Sequence, residues 1–318
     1  MLKKHFSAAC AAAFILAGCA KVNPDHVTSD DELQVLTISV TSEASTAGTK
    51  VYGAAADDAR INNVQAFVFN RHGLFETSAT STTSVVQCSC TAGEKQVIVL
   101  VNADTETEVR DIADLSARTV DLADCDVDNL VMVGQGSVTV GAATGVPITV
   151  KRLASKVVLG EVYLSFADRA HSGLSFELKS VYLMNAAGHR AYIDDNVSPM
   201  WYNEDGYDAA TCPSFLYDEI TGGVLQSGGT QYSTDHYFYC YPNSTSKPTR
   251  MVIEAEIEGQ TYYYPIVLDN LAPNNSYNYT VTIKSLGLDS PDMTFDKKNL
   301  NVTVTATPWH VNPNRLEM

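Results

Sequence analysis

Short runs in which apolar and polar residues alternate recur along most of the chain, with turn residues between them. A period of two places successive side chains on opposite faces of a β-strand, and repeated short runs of this kind predict an all-β fold. Two clear examples lie near the ends, where LTISVT occupies 36–41 and LNVTVTAT occupies 300–307. We therefore expect sheets, not helices, to form the core.

The length of these runs changes near Lys151. Earlier runs are short, as in LVMVG at 130–134 and VPITVKR at 146–152, whereas later ones lengthen, as in KVVLGEVYLSF. A chain of 318 residues is also longer than one ordinary sandwich requires. The sequence therefore predicts two β-sandwich domains in tandem, one over 51–148 and the other over 149–318.

Three local patterns refine this prediction. KQVIVLVN at 95–102 is continuously apolar, so we expect a strand that is buried on both faces. Residues 107–117 have apolar side chains at helical spacing and predict a helix. The stretch from about 190 to 235 has the pattern of a long loop, and Trp201 and Tyr202 make it a candidate recognition surface.

The first 18 residues have the form of a bacterial lipoprotein signal. Lys3 and Lys4 precede an apolar stretch that is too short to span a membrane, and the stretch ends in LAGC at Cys19. We expect cleavage before Cys19 and acylation of its thiol. Residues 19–50 would then be a lipidated pro-segment that holds the precursor at a membrane.

Lys50 stands alone among small residues in STAGTKVYGAAADDAR, between two predicted strands. Such a compliant segment is accessible to proteases, so a cut after Lys50 would make Val51 the new N-terminus. Arg60 is a second candidate, although it adjoins the strand that is expected from Ile61. An ordinary solvated linker lysine is the alternative interpretation.

Composition argues against several classes of function. The formal net charge of −16 disfavours nucleic acid and anionic membrane surfaces as partners. The sequence contains no catalytic motif, and DCDVD at 124–128 lacks the glycine and the twelfth-position glutamate of a calcium loop. We expect no enzyme activity, no cofactor and no metal.

Five cysteines follow the signal, and their spacing is neither a disulfide framework nor a zinc ribbon. We expect most of them to be buried thiols, with the disulfide state left open, at Cys88, Cys90, Cys125, Cys212 and Cys240. The tyrosine-rich runs at 237–241 and 262–264 are interpreted as core strand residues, with a sugar-stacking platform as the alternative.

The alternating runs at the two ends share one pattern, with an apolar face and a hydroxyl-bearing face. Either run could therefore occupy the same half-buried position in a sheet. The apolar residues of the first run are Leu36, Ile38 and Val40, and those of the second are Leu300, Val302, Val304 and Ala306.

An ordered set of motifs resembles the fimbrillins, the structural subunits of type V pili. The set comprises the LAGC signal, LTISVT with a following basic residue and VYG, INNVQAFVFNRHG, CSCTAGEKQVIVLVNAD, VKRLASKV, QTYYYPIVLDN with NSYNYTVTIKSLG, and LNVTVTATPWHV. These motifs occur in a consistent order over most of the mature chain.

The resemblance implies two transthyretin-like, Greek-key sandwiches and export as an outer-membrane lipoprotein. It places Lys50 where the family is cut by a trypsin-like surface protease, commonly after arginine. The cut removes the lipid with the strand of Leu36, Ile38 and Val40. A neighbour's strand from Leu300, extending to Trp309, then replaces it in an extracellular fimbrium that supports adhesion.

Two other interpretations stay open. The chain could be a surface lipoprotein that does not polymerise and binds glycans, in which case Cys19 stays attached. It could also be a tip or anchor subunit of the fimbrium. The partners in the pilus interpretation are other fimbrial subunits, the protease and, before cleavage, the membrane.

Overall fold

The computed structural model describes residues 32–43, 59–125, 128–142, 144–194, 200–243, 247–293 and 300–308. Strands dominate this part of the chain, so the all-β prediction is confirmed. The helical segments are the helix α1, Ile112–Ala117, and 3-10 turns at Leu122–Asp124, Arg169–His171 and Ser214–Leu216.

The first half of the chain forms a curled path of seven strands in the order β3-β2-β5-β7-β8-β1-β4. A short β6 lies outside it. The bounds are β1 Gln34–Ser42, β2 Val64–Asn70, β3 Phe75–Ser81, β4 Val85–Cys90, β5 Gly93–Val101, β6 Thr119–Asp121, β7 Met132–Val140 and β8 Thr144–Arg152.

The second half forms two facing sheets, β16-β9-β19-β20 and β14-β10-β17-β18, with β15 also paired to β10. The bounds are β9 Ser155–Leu164, β10 Phe176–Met184, β11 Ala186–Ala187, β12 His189–Ala191, β13 Trp201–Tyr202, β14 Tyr217–Glu219, β15 Val224–Leu225, β16 His236–Cys240, β17 Arg250–Ile257, β18 Gln260–Val267, β19 Asn275–Ile283 and β20 Leu300–Pro308. The arrangement is compatible with two tandem sandwiches, and the change of sheet falls at residues 153 and 154, because β8 continues past 149.

The core of the first sandwich lies between two layers of the curled path. Strands β2, β5 and β7 supply one wall, and β8, β1 and β4 supply the other. Strands β7 and β8 are joined only at one end, where Met132 and Val133 pair with Arg152 and Lys151. The remainder of the two layers is therefore held together by side-chain packing.

A second core fills the junction between the two halves and continues into the second sandwich. Phe67 and Phe69 of β2 and Ile98 and Leu100 of β5 point into it, while their sequence neighbours face the first core. Strand β5 is thus buried on both faces, as its continuous apolar run predicts. Pairing of β6 with β12 also crosses the junction.

The helix is shorter than the 107–117 expected from the sequence. It begins at Ile112 because the Asp111 side chain accepts a 2.8 Å hydrogen bond from the Asp114 amide and caps the first turn. Glu108 has a positive φ of 57°, which a right-handed helix excludes. Apolar spacing alone could not locate this start.

The stretch from 190 to 235 is not a plain loop, because β13, β14 and β15 lie within it. Trp201 is half-buried, and Tyr202 is buried and donates a 2.8 Å hydrogen bond to Asp121 across the junction. The Tyr202 part of the recognition-surface expectation is therefore wrong. Tyr207 is exposed and stacks on Tyr217.

Gly134 lets β7 approach β8 where the two layers of the first sandwich meet. A Cβ atom there would lie 2.6 Å from the Thr149 carbonyl oxygen and 2.7 Å from an Ile148 methyl group. A backbone contact of this kind cannot be relieved by a side-chain rotation. The absence of a side chain at 134 therefore sets the position of β8.

We expect Gly134→Ala to lower the free energy of unfolding by about 1–3 kcal/mol, because it overpacks this corner. Gly141→Ala is the matched control, since a Cβ atom there meets nothing within 4 Å. Urea unfolding of both variants checks the prediction. Equal stabilities for the two variants would contradict it.

Candidate functional site

Strand β1 lies between two strands that are distant from it in sequence. It pairs antiparallel with β4 from Gln34 to Ser39 and parallel with β8 from Leu36 to Ser42. Hydrogen bonds on both edges therefore hold the strand. We call the space that it fills, between β4 and β8, the groove.

The apolar face of β1 is completely covered. Leu36 and Ile38 are 0% exposed and Val40 is 2% exposed. They pack on side chains from both flanking strands, and these side chains are Val86, Cys88 and Cys90 of β4 and Val146, Ile148 and Val150 of β8. Each such burial contributes about 1.5–3 kcal/mol, so the strand is a main part of the core.

Strand β1 is the first described element, and the segment after Ser42 is its covalent connection to β2. A break between β1 and β2 would therefore leave the strand held by non-covalent contacts alone. Its departure would expose an apolar floor and unpaired backbone groups on β4 and β8. Unpaired strand edges of this kind accept further strands.

Two cysteine thiols lie beneath β1. Cys88 pairs with Leu36 and donates a weak 4.0 Å hydrogen bond from Sγ to the Leu36 carbonyl, and Cys90 pairs with Gln34. Burial, with smaller effects of Cys90 and Glu76, raises the pKa of Cys88 to about 12. The thiol is therefore protonated and unreactive while β1 occupies the groove.

The other described cysteines fit the expectation of buried thiols. Cys125 and Cys240 are also buried, Cys212 is partly exposed, and all five cysteines are free. The tyrosine-rich runs supply core residues, since Tyr239, Tyr241 and Tyr264 are fully buried.

Strand β20 carries the same alternating pattern as β1 but lies at the edge of its sheet. It pairs antiparallel with β19 over its full length, and no other described strand pairs with it. Leu300 is buried and Val302 is half-buried, whereas Val304 is 46% exposed and Ala306 is exposed. Its apolar face is therefore covered far less completely than that of β1.

A cavity of about 700 Å³ lies beside β20. Its lining includes apolar side chains of β20 itself and of β18 and β19, among them Ile266, Tyr277 and Tyr279. The space between the edges of the two sheets is thus incompletely filled. This explains why the strand buries so little of its apolar face.

Several predicted site residues lie outside the described part of the chain, namely Cys19, Lys50, Val51 and Trp309. Arg60, the second candidate for cleavage, is described and exposed. Its carbonyl oxygen accepts a 2.7 Å hydrogen bond from the Asn102 side chain. A protease must bind the chain around its cleavage site in an extended form, and this bond holds the peptide after Arg60 in place. Arg60 is therefore disfavoured as the cleavage site.

Within the described ranges, no three His, Cys, Asp or Glu side chains are arranged to hold a metal ion. The same part of the chain contains no helix with the length and apolar character of a membrane span.

The family model described as "Major fimbrial subunit protein (FimA)" matches residues 35–161, which run from β1 through most of β9. The resemblance to the fimbrillin family is confirmed. A search among curated proteins finds no match to this sequence.

Solved structures with the same fold include a fimbrilin from Porphyromonas gingivalis, with a TM-score of 0.63 and 17% identity over 87% of this chain and 98% of that chain. A protein from Bacteroides eggerthii, described as a candidate for cell adhesion, has a TM-score of 0.67 and 22% identity over 88% and 97% of the two chains. The tip fimbrial protein Mfa3 from P. gingivalis, truncated at its C-terminus, has a TM-score of 0.53 and 12% identity over 87% and 100%.

These matches carry the β-sandwich fold, and the family match indicates a structural subunit of cell-surface fimbriae. The description of the family model names a fimbrial subunit, which is a structural role. The matched segment begins within β1, so the groove strand is part of what the family shares.

We expect Ile38→Ala to lower the free energy of unfolding of the uncut chain by about 2–5 kcal/mol, since it empties a fully buried site. Val304→Ala removes a side chain that is already 46% exposed, and should cost less than about 1 kcal/mol. Urea unfolding measures both values. Similar losses would contradict the difference in packing between β1 and β20.

Proposed function

We propose that this protein is a structural subunit of a fimbrium that polymerises by strand exchange. It is exported as a lipoprotein acylated at Cys19, reaches the outer membrane and is cut after Lys50 by a trypsin-like surface protease. Loss of β1 opens the groove, and β20 of another subunit fills it. The proposal rests on one observation: two strands of the same pattern have very different burial.

Cleavage is needed because, while it is tethered, β1 binds the groove much more favourably than a strand from another subunit can. While β1 is tethered, its effective concentration at the groove is on the order of millimolar. An incoming strand offers similar contacts but must also overcome about 4–15 kcal/mol of lost translational and rotational freedom. Cleavage removes the tether and lets the strand dissociate, so the competition no longer favours the resident.

The donor strand gains burial when it moves. In its own subunit β20 leaves Val304 and Ala306 exposed. When Leu300 takes the place of Leu36, Val304 occupies the fully covered position of Val40 and Ala306 the half-buried position of Ser42. Both β1 and β20 contain nine residues, so the donor is long enough to form a ladder of similar length. Its departure exposes the edge of β19, and the deeper burial in the groove offsets that loss.

Donation of one subunit's tail to the next subunit's groove is a heterologous contact. Such contacts repeat without closing and produce filaments. The filament is held by a buried strand at every joint, which suits a structure exposed outside the cell. Other fimbrial subunits with the same groove are equally suitable partners.

Lys50→Ala should leave the full-length lipidated chain at the membrane and abolish filaments, because β1 stays tethered. Arg60→Ala is the matched control and should assemble as the wild type does. N-terminal sequencing of material sheared from cells should give Val51 for the wild type. Normal filaments from Lys50→Ala, or an acylated Cys19 in sheared filaments, would reject the proposal and favour a surface lipoprotein that keeps its first strand.

The thiols beneath β1 report directly on the groove. In the uncut chain Cys88 and Cys90 should resist alkylation, because both are buried. After cleavage they should react with a maleimide, and assembled filaments should be protected again. Mass spectrometry of the labelled peptides measures each state, with Cys240 in the second sandwich as the control that never reacts. Labelling that does not change on cleavage would contradict a vacant groove.

A further inference from the structure

A polar cluster that includes Asn274 from the second half of the fold lies at the end of the groove. The side chain of Glu43, one residue after β1, accepts a 2.7 Å hydrogen bond from Nδ2 of Asn274. Its other oxygen lies 3.3 Å from Nζ of Lys151. The Glu43 amide continues the ladder with a 3.0 Å hydrogen bond to the Val150 carbonyl.

The orientation of the Asn274 side chain is fixed by Arg152. The Oδ1 atom of Asn274 accepts a 3.2 Å hydrogen bond from the Arg152 amide and a 3.0 Å hydrogen bond from its guanidinium group. The Nδ2 group must then point the other way, toward the end of β1. Arg152 is 1% exposed and Asn274 is 8% exposed, so the arrangement is built into the interior.

The backbone at Asn274 is also constrained. Its φ is 58°, a left-handed conformation that Asn adopts more readily than most residues, and its amide donates to the Ala154 carbonyl at 2.9 Å. Side-chain and backbone bonds thus hold a donor at one place. A largely buried donor that loses its acceptor is costly, so a strand that supplies an oxygen there is favoured in the groove.

The Glu43 contact is not needed to hold the two halves together. Pairing of β6 with β12 and a continuous apolar core already join them, as does the hydrogen bond from Tyr202 to Asp121. The contact therefore has its main effect on the end of the strand in the groove.

We propose that Asn274, oriented by Arg152 and assisted by Lys151, is a recognition subsite that fixes the register of the groove strand. The subsite binds a side-chain oxygen of the groove strand. The residue that carries this oxygen lies three positions after the last of the three buried apolar residues of that strand. Glu43 supplies this oxygen in the uncut chain. After strand exchange, Thr307 of the incoming β20 takes the place of Glu43, and its shorter hydroxyl reaches the subsite through a bridging water, which rests on the proposed function.

Side-chain size selects the same register. When β20 runs in the direction of β1, Leu300, Val302 and Val304 replace Leu36, Ile38 and Val40, which changes only Ile to Val. Position 43 then corresponds to Thr307. A shift by two residues would place Val, Val and Ala in the three sites and Trp309 at the subsite, which underfills the groove and removes the oxygen.

The opposite direction fits less well. It would place Leu300 in the site of Val40 and Val304 in the site of Leu36, so that one site is overfilled and another underfilled. Packing and hydrogen bonding therefore favour a β20 strand that runs in the direction of β1, with Leu300 at the position of Leu36.

Hydrogen exchange of the uncut full-length chain tests the subsite without any assembly. Asn274→Asp keeps an acceptor for Arg152 and replaces the donor by a carboxylate oxygen that repels Glu43, so amides of β1 should exchange about tenfold faster. Glu43→Ala should have the same effect, and Glu43→Gln should restore most of the protection. Asn270→Asp is the control, because Asn270 has the same φ of 58° and no hydrogen bond to Glu43.

Protection in β9 should be unchanged in all four variants, which separates the subsite from a general loss of stability. If Asn274→Asp and Glu43→Ala leave β1 exchange at the wild-type rate, the subsite is rejected, whether or not the chain polymerises.

Filament dissociation tests the register. Subunits with Thr307→Val should leave filaments about tenfold faster than the wild type, while Thr305→Val, which aligns with the exposed Thr41, should not. Equal rates for the two variants would overturn the register. If cleaved wild-type protein forms no filaments, strand exchange itself fails, and the exchange experiment on the uncut chain still decides the subsite.

Discussion

The backbone ladder of β1 is the constraint on which the rest of the structure depends. Its two edges form hydrogen bonds with β4 and with β8. Without a strand in this position, the backbone groups of β4 and β8 that face the groove would be unpaired. The same strand closes the apolar core with three fully buried side chains. A fold built this way requires an occupant in the groove but does not require that the occupant come from the same molecule.

Strands β1 and β20 share one sequence pattern but differ in how completely their apolar side chains are buried. Strand β1 is central and covered, whereas β20 is an edge strand beside a cavity of about 700 Å³. In the proposed mechanism, the covalent tether keeps β1 in the groove. After cleavage, the deeper burial of β20 in the groove favours strand exchange. The Asn274 subsite adds a polar criterion to an apolar match, because alternating strands are prone to slip in register by two residues.

The sequence predicts the strands well because alternation is a local property. The two runs at the ends and the doubly buried β5 follow from neighbouring residues. The contact of Glu43 with Asn274 could not be predicted, since 231 positions separate the two residues. For the same reason, the pairing of Leu36 with both Cys88 and Thr144 depends on the complete fold.

A reconstruction of assembled filaments by electron cryomicroscopy tests the central claim most directly. The account predicts that the density between β4 and β8 belongs to residues 300–308 of a neighbouring subunit, with Leu300 beside Cys88 and Thr307 at Asn274. It is contradicted if the groove of subunits within the filament still contains their own Gln34–Ser42.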